Sequence, residues 1–217
     1  MIFFLLKKTF QDVADNFVAI LLFNLLIVAF SAILYFIFRI TPAFLFFIPL
    51  FFLFFIITAL FLAFIVFLNG LKNFNLIKIL FSSAYLSTIN IFIFFFGGYS
   101  ISFYFKSDNV IFYTLGFFLF WIIIIWITGL LFYIPYLHRN NYDGNKNIGK
   151  VFYIIFNNLF FSLFVLIIFT IFCVSTIFPI LGFGAGVIFI DDSLKTILKK
   201  YDHIVKNGSK KIDWKEI

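Results

Sequence analysis

The sequence predicts an all-α membrane protein, a polytopic bundle of six transmembrane helices with an amphipathic cytoplasmic segment at each end. Three observations carry that prediction. Of 217 residues, 65% are hydrophobic, 25% aromatic and only 12% charged, against about 25% charged in soluble domains. A soluble fold of this length would lack the polar residues to cover its own surface. Uncharged runs long enough to cross a bilayer recur along the chain, and the basic residues between them segregate by side.

Residues 1–16, MIFFLLKKTFQDVADN, place apolar residues before Lys7 and Lys8. This reverses the order of a secretory signal and offers no small-residue cleavage site, so the segment is expected to be retained as an interfacial amphipathic helix. A crossing helix needs about 20 residues to traverse roughly 30 Å of hydrocarbon. Phe17 to Phe38, Thr41 to Leu68, Ile79 to Phe105 and Val110 to Leu137 satisfy this, separated by Arg39, Asn69 to Lys78, Lys106 to Asn109 and His138 to Lys150.

From Val151 to Ile190 forty residues pass without Lys, Arg, Asp, Glu or His. As one helix they would extend about 60 Å, twice the hydrocarbon thickness. A turn in Ser175 to Pro179 divides them, because Pro179 biases Phe178 away from helix. The second arm is apolar only to Ile190 and must borrow length from the residues beyond it. The transmembrane domain is therefore read as 17–190, and 191–217 as a cytoplasmic amphipathic basic helix and tail. Ile190, Leu194, Ile197, Leu198, Tyr201, Ile204 and Val205 share one stripe of that helix.

Lysine and arginine collect on the cytoplasmic side of short loops. With an inner amino terminus and six crossings, 14 of the 16 basic residues lie inside, leaving Arg39 and Lys106 outside. Five crossings would move the seven tail lysines outward and give 7 inside against 9 outside. Both termini are expected in the cytoplasm. Tyr35, Tyr99, Tyr104, Tyr113, Tyr133, Tyr136 and Tyr153 fall near predicted span ends, while Trp121 and Trp126 are placed between helices, their indole N–H groups needing partners.

Asp191 and Asp192 are the nearest approach to membrane carboxylates. Intramembrane acids mark ion or proton pathways, but Asp192 can also cap the cytoplasmic helix while Asp191 pairs with Lys195 at i+4. The capping reading is the expectation, and an ion or proton site the alternative. Gly182 and Gly186 have the G-x-x-x-G spacing that lets membrane helices approach closely, with packing inside the chain favoured over dimerisation. Together with Gly184 they could instead loosen a discontinuous transporter helix. Asn24, Asn90, Thr128 and Asn157 are candidates for a polar cavity, or else hydrogen-bond to neighbouring helices.

GNKNIGK, Gly144 to Lys150, matches the start of a phosphate-binding loop, but Val151 stands where Ser or Thr would ligate magnesium and no strand precedes it. Cys173 is read as a buried small side chain. His138 and His203 lack metal-site spacing, no grouping suggests nucleophilic catalysis, and Asn207 to Ser209 has glycosylation spacing on the side expected to be cytoplasmic. No catalytic residue, metal or cofactor is expected. Net charge +7 lies in segments flanking apolar spans, so the expected partner is the lipid bilayer and not nucleic acid. The 41 phenylalanines fit codon bias in an AT-rich genome.

The layout resembles the YesL-like bacterial membrane proteins of unknown function. The resemblance is carried by NFVAILLFNLLIVAF after an interfacial start, VFYIIFNNLFFSLFVLIIF after a basic loop, and FPILGFG ahead of LKTILKKYD. It implies a small multi-pass protein of the bacterial inner membrane, some relatives being suspected companions of sugar uptake systems. The functional expectation is a non-enzymatic accessory or structural subunit of a membrane complex, contacting a partner through 191–217. The alternative is a small solute transporter.

Overall fold

The computed structural model describes residues 2–42, 46–71, 74–107, 109–139, 148–174 and 182–207, with backbone alone at 174 and 202–207. Every regular element among them is helical: α1 (Ile2–Asp15), α2 (Phe17–Ile40), α3 (Phe47–Leu68), α4 (Leu76–Phe105), α5 (Val110–Arg139), α6 (Ile148–Asn157), α7 (Leu159–Val174) and α8 (Gly182–Asn207). In hydrocarbon a helix satisfies its backbone polar groups internally, which is why uncharged runs of these lengths take this form. α2, α3, α4 and α5 are each long and apolar enough to cross a membrane. A fifth candidate arises if α6 and α7, bent by 99° at Asn158, are taken as one span.

Local chemistry sets the ends. Asn75 accepts from the Lys78 amide at 3.0 Å and caps α4, and Asn109 accepts from Ile111 at 2.9 Å to start α5. α3 stops in a paired motif: the Gly70 amide donates to Phe67 O at 3.0 Å and the Leu71 amide to Val66 O at 2.9 Å. Gly70 adopts φ +68° there without strain, whereas Leu71 at φ 59° carries a side chain into the same left-handed region.

α3, α4 and α5 pack in sequence, and α8 lies against α1, α2, α3, α5 and α7. Ala185, Val187, Phe189, Ile190 and Leu194 are fully buried, so α8 forms the centre of the core. Only its first nine residues, Gly182 to Ile190, precede the acids, a reach of about 13 Å. Among the described residues α8 is therefore not a sixth full-length apolar span. It pairs antiparallel with α7: Asn158 Oδ1 accepts from Lys200 Nζ at 3.0 Å near one end, and the Phe169 and Phe183 rings meet at 5.6 Å near the other. Phe183 also meets Phe61 at 5.8 Å and Phe23 at 6.0 Å. The described tip of the hairpin thus enters the bundle about eight residues along α2 and α3 from their nearer ends, or roughly 12 Å.

The turn expected at Ser175 to Pro179, residues 140–147 of the basic loop, and the tail beyond Asn207 lie outside the described residues. The amphipathic stripe expected after Asp191 is present as far as Tyr201, where this chain itself covers it, while the side chains of Ile204 and Val205 lie outside the described residues. Leu194 and Ile197 are buried and Leu198 and Tyr201 are packed against the core.

Candidate functional site

Consecutive residues on an α-helix diverge by about 100°, so Asp191 and Asp192 face different neighbours. Asp191 turns toward the end of α5, where Arg139 Nη2 donates to its Oδ1 at 2.8 Å and Lys195 Nζ, one turn along α8, to its Oδ2 at 2.6 Å. Asp192 turns toward α1, where Lys8 Nζ donates to Oδ1 at 2.8 Å and Thr9 Oγ1 to Oδ2 at 3.3 Å. Relative exposure is 2% for Asp191 and 1% for Asp192. Two buried carboxylates thus tie three helices together.

The cations are not buried to the same degree. Lys8 and Lys195 keep about a third of their side-chain surface and Arg139 a quarter, so each cation reaches in to the acids without its whole side chain being desolvated. Asp12 stands 3.9 Å from Lys8, and His138, buried beside Arg139, lies within electrostatic reach of Asp191. Burial pushes the Asp192 carboxyl above the ordinary aspartate range. The Lys8 hydrogen bond and charge oppose this, the Asp12 charge adds to it, and Lys195 opposes it weakly. Nearby, Ser193 Oγ donates to Phe189 O and Thr196 Oγ1 to Asp192 O, whereas Arg139 Nε is buried without a hydrogen-bond partner among the described residues.

The expected capping role for Asp192 does not hold. α8 runs unbroken from Gly182 to Asn207, and Asp192 is its eleventh residue, where no orphan amide awaits a cap. The expected Asp191–Lys195 pair is present. α8 receives its cap instead from another helix, Asn24 Oδ1 of α2 accepting from the Gly184 amide at 2.9 Å.

The other candidate residues are dispersed. Asn90 accepts from Trp126 Nε1 at 3.1 Å, Thr128 is buried and donates back to Ile124 O, and Asn157 is exposed at the end of α6. Its neighbour Asn158 makes the contacts at the bend, donating to Ile154 O at 2.9 Å and to Tyr201 Oη at 3.0 Å. A cavity of ≈ 210 Å³ among α3, α4, α5 and the hairpin tip reaches Asn90 and Thr58, but its other described lining residues are aliphatic or aromatic. Asn24, Thr128 and Asn157 do not line it. Trp126 packs between helices, stacked on Phe152 at 5.7 Å, whereas Trp121 is 40% exposed on the outer face of α5.

Gly186 makes a close approach within the chain. A Cβ there would stand 2.7 Å from the Phe169 ring. Gly184 does the same toward α2, where a Cβ would meet Ile20 Cγ2 at 3.0 Å. Gly182 is buried beside them.

Lys8, Thr9 and Arg139 were not anticipated as partners of the acids. For Lys8 and Arg139 the signal lies in charge segregation, since each borders an apolar run in the sequence, as Asp191 and Asp192 do; Thr9 gives no such signal. Among the described residues no group of three or more His, Cys, Asp or Glu is arranged to hold a metal ion.

No family model, no curated protein and no solved structure matches this chain.

Proposed function

We propose that this chain is a non-enzymatic, multi-pass protein of the bacterial inner membrane that serves as an accessory or structural subunit of a membrane complex. The observation that carries this reading is the engagement of both buried acids by cations of the same chain. A carboxylate held at 2.8 Å or closer by a lysine or arginine is a fixed strut and a poor relay for a travelling ion, since each displacement strands a buried charge. The apolar cavity supports the same reading, because a sugar-like solute needs polar groups along its path.

Both termini are assigned to the cytoplasm, in accord with the distribution of lysine and arginine. Six crossings and four crossings plus a hairpin have the same parity, so the basic residues support both equally. The short apolar arm of α8 favours a hairpin of α7 and α8 that enters and leaves on the cytoplasmic side. The resemblance to YesL-like proteins accords with an accessory role.

Co-purification from native membranes in mild detergent, with mass spectrometry of the captured proteins, tests the assignment. A stoichiometric membrane partner is the expected outcome. Isolation of this chain alone, together with uptake of a solute by vesicles containing only it, would replace the proposal with the transporter reading.

A further inference from the structure

The cradle formed by α3, α4 and α5 above the hairpin tip holds space that the described side chains do not fill. Its volume is ≈ 210 Å³, larger than the roughly 150 Å³ apolar cavity that stays dry and admits benzene or xenon. Phe54 and Phe94 stack at 5.2 Å across one wall, and Phe169 and Phe183 close the floor. Asn90 Oδ1, one of two polar side chains at the wall, already receives the Trp126 indole. Water placed here would find few of the two to four polar partners it requires. An empty void would forfeit dispersion contacts on every side.

The cavity is not sealed, since Phe54, Phe94, Ile127 and Leu130 all remain partly exposed. The helices that form it, α3, α4 and α5, are three of the four candidate spans, so in a bilayer its mouth opens on hydrocarbon. We propose that this cradle is a binding site for a single acyl chain of a membrane phospholipid, inserted from the bilayer between α3 and α5 and resting on the aromatic floor. The recognition is of shape and apolarity: a flexible alkyl chain fills an irregular aromatic-walled slot and leaves its headgroup outside. The inference rests on the membrane placement proposed above and goes beyond it in assigning a ligand.

Delipidated protein in detergent, titrated with a phospholipid that carries a photoactivatable diazirine in its chain and then mapped by mass spectrometry, tests the site. Label at Phe94, Ile127 and Leu130 is expected to saturate and to be displaced by the unlabelled lipid. Label at Phe118 and Ile122, which are 62% and 59% exposed on the outer face of α5, should rise without saturation. Ile127→Trp, which fills the slot, should abolish the saturable component and leave the outer label unchanged. Leu130→Phe serves the same purpose if the first variant folds poorly. Cavity label that never saturates in the wild type, or that persists in a folded filled variant, overturns the site while leaving the membrane placement intact. Absence of label on both faces in phospholipid nanodiscs would overturn the membrane placement and the site with it.

Discussion

Lys8 and Asp192 lie 184 positions apart in sequence and meet at 2.8 Å, so the first helix of the chain is pinned to the last by one charge-assisted hydrogen bond. The two ends of the bond differ in burial, 36% exposed for the Lys8 side chain and 2% for that of Asp192, and this asymmetry fixes the consequences of breaking it. An ammonium released from the pair can turn to water. A buried carboxylate cannot.

Lys8→Ala should therefore destabilise more than Asp192→Asn. The expected loss for Lys8→Ala is about 1–3 kcal/mol, below the usual figure for an orphaned buried charge because Lys8 is partly solvated and Thr9 still donates. Asp192→Asn should be near neutral at acidic pH and mildly stabilising above it, since an amide costs less to bury than an ion. Thermal unfolding in detergent at constant pH gives both values. The double variant should resemble Asp192→Asn alone, and a simple sum of the two effects would contradict the pairing.

The same burial sets a pH dependence. Because the folded pKa of Asp192 is raised above the unfolded value of 3.8, the native state holds its proton where the unfolded chain has released it, and ∂ΔG/∂pH is negative in that interval. The contribution is fully present below about pH 4 and disappears as pH rises through the folded pKa. Unfolding midpoints of the wild type and Asp192→Asn, measured from pH 4 upward, should converge at the acidic end and separate in favour of the variant as pH rises. Parallel curves would show that Asp192 titrates normally.

The four long spans were legible because crossing length and absence of charge are one-dimensional properties, and α2 to α5 match the uncharged runs to within three residues except at the start of α3, which begins at Phe47 and not Thr41. The boundary drawn at residue 190 was less informative. It marks where composition changes, while backbone hydrogen bonding in α8 continues through it to Asn207, so an apparent helix start became the middle of a helix. Asn157 and Asn158 show the same limit at finer scale. The candidate by residue type was Asn157, but at the 99° bend between α6 and α7 it is Asn158 that meets Lys200 and Tyr201. Trp126 and Trp121 were alike in sequence, and what distinguishes them is that Asn90 and Phe152 of neighbouring helices stand beside Trp126 while Trp121 is exposed. For Asp191 and Asp192, residue type and the i+4 lysine were readable, but the partners on α1 and α5 depend on which helices converge on α8.

Gly186→Ala is expected to cost about 1–3 kcal/mol through overpacking. The added Cβ would approach Phe169 Cδ2 to 2.7 Å, and the neighbour is a ring packed against Phe183, with little freedom to move. Phe169→Leu should restore most of the loss when combined with Gly186→Ala, although it costs stability on its own. The four unfolding midpoints check this, and failure of the second change to compensate would place the strain elsewhere.

The depth of the α7–α8 hairpin can be read from the chain's one cysteine. Cys173 lies in the last turn of α7, opposite the start of α8, whose Gly184 meets Asn24 of α2. Asn24 is eight residues into its helix, about 12 Å from the end proposed to be cytoplasmic, which in that arrangement is near the middle of a roughly 30 Å hydrocarbon slab. If the hairpin enters and leaves on one side, a nitroxide on Cys173 should collide strongly with dissolved oxygen and weakly with a water-soluble nickel chelate. If α7 and α8 were two full crossings, the same label would lie close to the outer headgroups and the chelate collisions would dominate. Parity needs a separate reading: with Cys173→Ser as background, Ser107→Cys should react with an impermeant maleimide in intact cells, and Lys199→Cys only after permeabilisation. Labelling of Lys199→Cys from outside would reject an even number of passages, and with it the cytoplasmic placement of the helix that carries Asp191 and Asp192.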